Sequence, residues 1–121
     1  MMDTSALVAS LVGDHEHHRL ARPHLRVDRA LPAIVLAETF AQLRRTFGQS
    51  AASAAAILKP WTSLPDRVLP TTATAVTTIF ARAAELDLGG SVHDALIAEV
   101  CRERAVRMYT LDGRQHRLAL A

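Results

Sequence analysis

"MMDTSALVASLV", Met1 to Val12, is the stretch on which the fold class turns. Two apolar residues, one acid and a long apolar run read as a short strand at Met1–Met2. Asp3 then leads the chain into a helix from Thr4 to about Val12. The same alternation recurs downstream. "ALPAI" carries a second extended entry, and the helix after it reaches about Phe47, where Gly48 stops it. "RVLP" reads as a third short strand and "AVRMYTLD" as a buried fourth. Helices fill the gaps: Asp14 to Ala21, ending before Pro23; Ser50 to Leu58, closed by Pro60; Thr72 to Leu86; and Ser91 to Arg104. A weak helix over "RQHRLALA" ends the chain. Short β segments separated by helices predict an α/β fold with three layers, a short central parallel sheet covered by helices on both faces.

A length of 121 residues suits a single domain over 1–121 with one core. Apolar residues make up 50% and charged ones 21%, an ordinary globular balance that excludes a disordered chain. Alanine, leucine and valine dominate and aromatics are few, which favours packed helices over an all-β sandwich. The net charge is +2, with Lys59 the sole lysine among the basic residues. Arginine suits phosphate and carboxylate pairing, but a genome's base composition produces the same bias, so the charge alone does not argue for nucleic acid. Cys101 is the single cysteine, which excludes an internal disulfide and reads as a buried, inert thiol. "ALPAIVLA" is too short to span a bilayer, and no basic, then apolar, leader opens the chain. The expectation is a reducing cytoplasm and no membrane.

Four acids stand in four separate places. Asp3 follows the first strand, at the carboxyl edge where open parallel sheets bind ligands; its bland reading is an N-cap. Asp112, in "YTLDG", holds the equivalent place after the last strand, with Thr110 on the same side by the two-residue period. The bland reading there is a turn aspartate before glycine. Asp94 lies in the first turn of the helix in "LGGSVHDALIAE", Leu88 to Glu99. Ser91 and Asp94 are three apart, as in a capping box. On a wheel of about 100° per residue, however, Asp94 falls beside Ile97, Ala98 and Cys101, away from the solvated Glu99–Arg102–Glu103 arc. Glu38 is the weakest by pattern. It lies opposite a Leu36–Phe40–Leu43–Phe47 stripe, in line with Gln42 and Arg45, as a solvated residue would. Only its place near a helix start brings it to the same edge.

Together these acids describe a pocket where carboxylates converge. Two unit charges about 4 Å apart repel by roughly 4 kcal/mol at an effective dielectric of 20. Such a cluster takes up protons or binds a cation. Oxygen ligands alone select a hard ion, Mg²⁺ or Mn²⁺, over zinc.

"MDTSALVA", "LAETFAQLRR", "GGSVHDALIAEVCRE" and "YTLDGR" resemble, in this order, the PIN-domain ribonucleases, most closely the VapC-type toxins of bacterial toxin–antitoxin pairs. Spacings of 35 residues from Asp3 to Glu38, 56 to Asp94 and 18 to Asp112 are those usual in that family. The resemblance implies that Asp3, Glu38, Asp94 and Asp112 form an acidic metal site, with Thr4 or Ser5 and Thr110 in support. It also implies cleavage of RNA, with the choice between the tRNA and rRNA classes left open, inhibition by a VapB-type antitoxin, and a homodimer. Two departures stand out. Only Met1 and Met2 precede Asp3, where the family's first strand carries several apolar residues, so the strand is stunted or the start assigned too late. The chain also stops at Ala121, about where the family commonly adds a final strand.

The expected chemistry is metal-dependent endoribonuclease hydrolysis, with one or two Mg²⁺ held by the four acids. His93 points about 100° from Asp94 and reads as structural or at the rim. "DHEHHRLARPHLRVDR" gathers four histidines and four arginines. His15, His17 and His18 lack the i, i+4 pair of a helical zinc site. A solvated basic helix is the bland reading of that segment, and an RNA-backbone or antitoxin surface the functional one. Trp61, between Pro60 and Pro65, reads as a core or interface anchor. Two other classes compete. A phospho-receiver domain needs an acidic pair after the first strand and a lysine after the last, whereas Asp3 stands alone and no lysine is near Asp112. A non-catalytic module acting with its antitoxin leaves the carboxylates with no activity to explain.

Overall fold

A computed structural model describes residues 1–113 and residue 117. The first strand is reduced to one bridge, Met2 paired in parallel with Tyr109. The Tyr109 N–H donates to Met1 O, and the Asp3 N–H donates to Tyr109 O at 3.1 Å. A second parallel pair joins β1 (Leu31–Pro32) to β2 (Val68–Leu69), with Leu31 opposite Val68. The architecture is therefore α/β, a short parallel sheet packed by helices.

Seven helices surround these strands among the described residues: α1 (Thr4–Leu11), α2 (His18–Ala21), α3 (Ala33–Arg45), α4 (Ala51–Thr62), α5 (Ala73–Ala81), α6 (Ala83–Leu86) and α7 (Val92–Glu103). Side-chain caps start three of them. Asp3, Ser50 and Thr72 accept from the backbone N–H of Ala6, Ser53 and Ala75, each cap being worth about 1 kcal/mol. α3 begins directly after Pro32 and ends on Arg44 and Arg45, cations suited to the negative end of the helix dipole. Gly48 then takes φ 65, a left-handed turn that favours glycine.

Met2, Leu7, Val35, Leu43, Trp61 and Ile97 belong to one buried cluster. Trp61 is 1% exposed and its indole N–H donates to Arg29 O, so it is the core anchor its prolines suggested. Cys101 is buried as well, its thiol pushed up to about 11 by that burial. No helix among the described residues is long and apolar enough to cross a membrane.

Four local expectations are corrected. "AVRMYTLD" is no buried strand: Ala105, Val106 and Arg107 are exposed, and Tyr109 alone makes the bridge. The cause is the end of α7, where Ala105 turns left-handed at φ 52 and the Val106 N–H closes on Cys101 O. The Asp14–Ala21 helix shrinks to α2, because turns closing on Val12 and His15 carbonyls occupy the residues after Gly13. A 3-10 turn, Arg22–His24, then accommodates Pro23. The Thr72–Leu86 helix breaks at Arg82 into α5 and α6, after a run of β-branched residues poorly suited to helix. Pro60 does not close α4, which continues two residues to bury Trp61. "RQHRLALA" lies outside the described residues apart from Arg117.

Candidate active site

Asp3 is both cap and site. Its carboxylate is almost wholly buried, 3% exposed, at the end of the first strand. Oδ1 accepts from the Ala6 N–H at 3.0 Å and from the Ser5 hydroxyl at 2.9 Å, while Oδ2 accepts from the Thr110 hydroxyl. Both hydroxyls also accept from the backbone of the 110–112 segment, Ser5 from across the gap and Thr110 from within it. Ser5 Oγ accepts from the Leu111 N–H at 3.2 Å, and Thr110 Oγ1 from the Asp112 N–H at 2.9 Å. Two side-chain hydroxyls thus fix the start of α1 against the loop carrying Asp112.

Burial outweighs these bonds. Removal from water pushes the Asp3 carboxyl above the usual aspartate value, against its hydrogen bonds, and the nearby Asp112 charge pushes it the same way. A carboxylate in that position is stabilised by a cation.

Glu38 turns out to face inward. The buried side of α3 consists of Val35, Leu36, Thr39 and Leu43, with Phe40 only partly covered. This places Glu38 on the shoulder next to α1, where Thr4 Oγ1 donates to Glu38 Oε1 at 2.7 Å. Asp94 is half-buried in the first turn of α7, directly before the buried run Ala95–Ala98. Ser91 makes no side-chain cap, so the capping-box reading of this pair is not realised.

All four acids line one groove of about 380 Å³, together with Thr4 and Ser5. Thr110 stands behind Asp3 as its hydrogen-bond partner. Val8 and Gln42 extend the wall, one turn beyond Thr4 and Glu38 respectively. His15, Glu16 and His17 close the far end. The sequence left those histidines between a solvated basic helix and an RNA-backbone or antitoxin surface, with nothing to join them to the acids. Only the return of the chain over α1, tied by His18 Nδ1 against Ala9 O at 2.8 Å, brings them to the groove. His93 is exposed and does not line it.

The donor set consists of hard oxygens, as Mg²⁺ or Mn²⁺ require. The burial of Asp3 beside a second acid supplies the electrostatic need for such an ion. No three His, Cys, Asp or Glu side chains among the described residues already stand close enough to cage one.

No curated protein and no solved structure is similar enough to this chain to count as a match. The family model of the PIN domain matches residues 1–120, nearly the whole sequence. A chain matched over that extent, with a short parallel sheet and acids gathered at its carboxyl edge, belongs to the PIN-domain family.

Proposed function

We propose that this protein is a divalent-metal-dependent endoribonuclease that hydrolyses RNA phosphodiester bonds. The observation carrying this reading is the convergence of Asp3, Glu38, Asp94 and Asp112 on one groove, from four positions far apart in the chain. These carboxylates would hold Mg²⁺ or Mn²⁺. When bound, the ion would supply Lewis acidity toward water and toward the phosphate, the chemistry that hydrolysis of a phosphodiester requires.

The chain's own residues have distinct tasks. Asp3 is the fixed point, oriented by Ser5, Ala6 and Thr110 before any ligand arrives. Thr4 donates to Oε1 of Glu38 and so positions that carboxylate at the groove wall. Asp94 and Asp112 face the same space from α7 and from the loop after Tyr109.

The finer assignment, a VapC-type toxin restrained by a VapB-type antitoxin and working as a homodimer in the cytoplasm on tRNA or rRNA, is part of the same proposal. It is supported by the order and spacing of the four motifs within a PIN domain. Purified protein, RNA and Mg²⁺ test the activity, with a chelator and Asp94→Asn as controls. Cleavage that stops under both controls supports the reading. Wild-type-rate cleavage by Asp94→Asn contradicts it. Mapping of new 5′ ends after induced expression then identifies the RNA.

A further inference from the structure

The groove is longer than its carboxylate end. Thr4 and Val8 both line it, one turn of α1 and about 6 Å apart, and the turn carrying His15 lies beyond Val8. An RNA strand laid along this groove meets four acids at one end, which repel its phosphates until a cation is bound. The far end needs donors.

His15 is equipped as one. Its Nδ1 accepts from the His17 N–H at 3.1 Å. A neutral imidazole that accepts at Nδ1 carries its proton at Nε2. The residue is half-buried and its backbone is fixed on both sides, His15 N–H to Val12 O and His18 N–H to His15 O, each at 3.0 Å. The His17 ring backs it with centroids 5.8 Å apart. The turn carries two acids: Asp14 lines a separate hollow, and Glu16, on the groove, stands 3.4 Å from His17 Nε2. A held ring with a distal N–H on a groove wall is a ready donor to a phosphate oxygen.

We propose that His15 is a substrate-binding residue, donating from Nε2 to a phosphate oxygen of the nucleotide next to the bond being cut. This rests on the nuclease reading above and adds to it a second point of attachment that sets the register of the strand.

Two substitutions separate the turn from the contact. His15→Asn keeps a side-chain oxygen for the His17 N–H, as in an Asx turn, but withdraws the distal donor. His15→Gln keeps a donor near the Nε2 position. Binding is read by fluorescence anisotropy of a short labelled single-stranded RNA of mixed sequence with Ca²⁺, and turnover by single-turnover cleavage with Mg²⁺. His15→Asn is expected to raise Kd and the half-saturating concentration about tenfold, as for one lost hydrogen bond to a charged group. The saturated cleavage rate and the melting temperature stay at wild-type values, and His15→Gln binds within about twofold of wild type. Binding by His15→Asn at the wild-type Kd overturns the assignment, as does His15→Gln binding as weakly as His15→Asn. Wild-type protein that leaves RNA uncut overturns the nuclease reading itself and takes His15 with it. That result is distinguishable from normal cleavage with an indifferent His15.

Discussion

The two ends of the parallel strands carry grooves of equal size and opposite character. Each measures about 380 Å³. At the amino ends, Arg26, Arg29 and Arg107 ring a hollow floored by Met1, Met2, Leu31 and Trp61. Its interactions are those that stabilise a fold: an indole bonded to a carbonyl, and His24 stacked on Tyr109 at 4.1 Å. At the carboxyl ends, a carboxylate is buried and two hydroxyls are spent orienting it. Burying a charge costs free energy that a plain core position avoids. Volume alone does not mark the chemistry. The groove that opposes stability is the one with a task.

The comparison breaks most sharply by exchange. On the proposed function, Glu38→Gln abolishes Mg²⁺-dependent RNA cleavage, because it removes a charge from the ion's donor set while preserving shape. Arg29→Ala, in the groove at the other end, leaves the saturated rate unchanged. Equal rates for the two variants would remove the distinction between the grooves.

A smaller effect is expected one layer behind the carboxylates. Thr110→Val deletes the hydroxyl linking Asp3 to the Asp112 loop, and loss of such an orienting partner costs about 10–100-fold in metal affinity or activity. The measurement is cleavage rate against Mg²⁺ concentration. A shift of the whole curve to higher Mg²⁺ is the predicted form, and an unchanged curve would assign Thr110 to folding alone.

The smallest effect is on stability, and its sign follows from Asp3. Burial, with Asp112, raises this carboxyl above the ordinary value of 3.8. The folded protein therefore holds the proton to higher pH than the unfolded chain does. The contribution is fully present below 3.8 and is lost as pH rises through the folded value. Asp3→Asn, an equally good N-cap, should melt a few degrees higher than wild type at pH 7 without added ions. The difference should vanish on acidification toward pH 4. A lower melting temperature for the variant at pH 7 would show that Asp3 stabilises the metal-free fold.

The legibility of these features in the sequence follows a physical divide. Asp3 was readable because a strand end and a helix start adjoin in the chain, so its position at the sheet edge is local information. Asp94 was readable from the apolar residues that follow it on its own helix. Glu38 was not, because the wheel of α3 shows only its own pattern. What makes Glu38 a groove residue is the Thr4 hydroxyl on another helix, 34 positions away. The expected strand over "AVRMYTLD" failed for the converse reason. Alternation is local, whereas pairing needs a neighbour, and only Tyr109 has one at Met2. His15 reaches the groove through a turn whose backbone bonds leave no periodic mark.

The most direct measurement of the central claim is a titration of Mn²⁺ into RNA-free protein, followed by the electron paramagnetic resonance signal of the free ion. Convergent carboxylates predict that wild-type protein suppresses the signal until a site fills, and that Asp94→Asn suppresses it much less. Equal suppression by the two proteins, or none by either, would contradict the account.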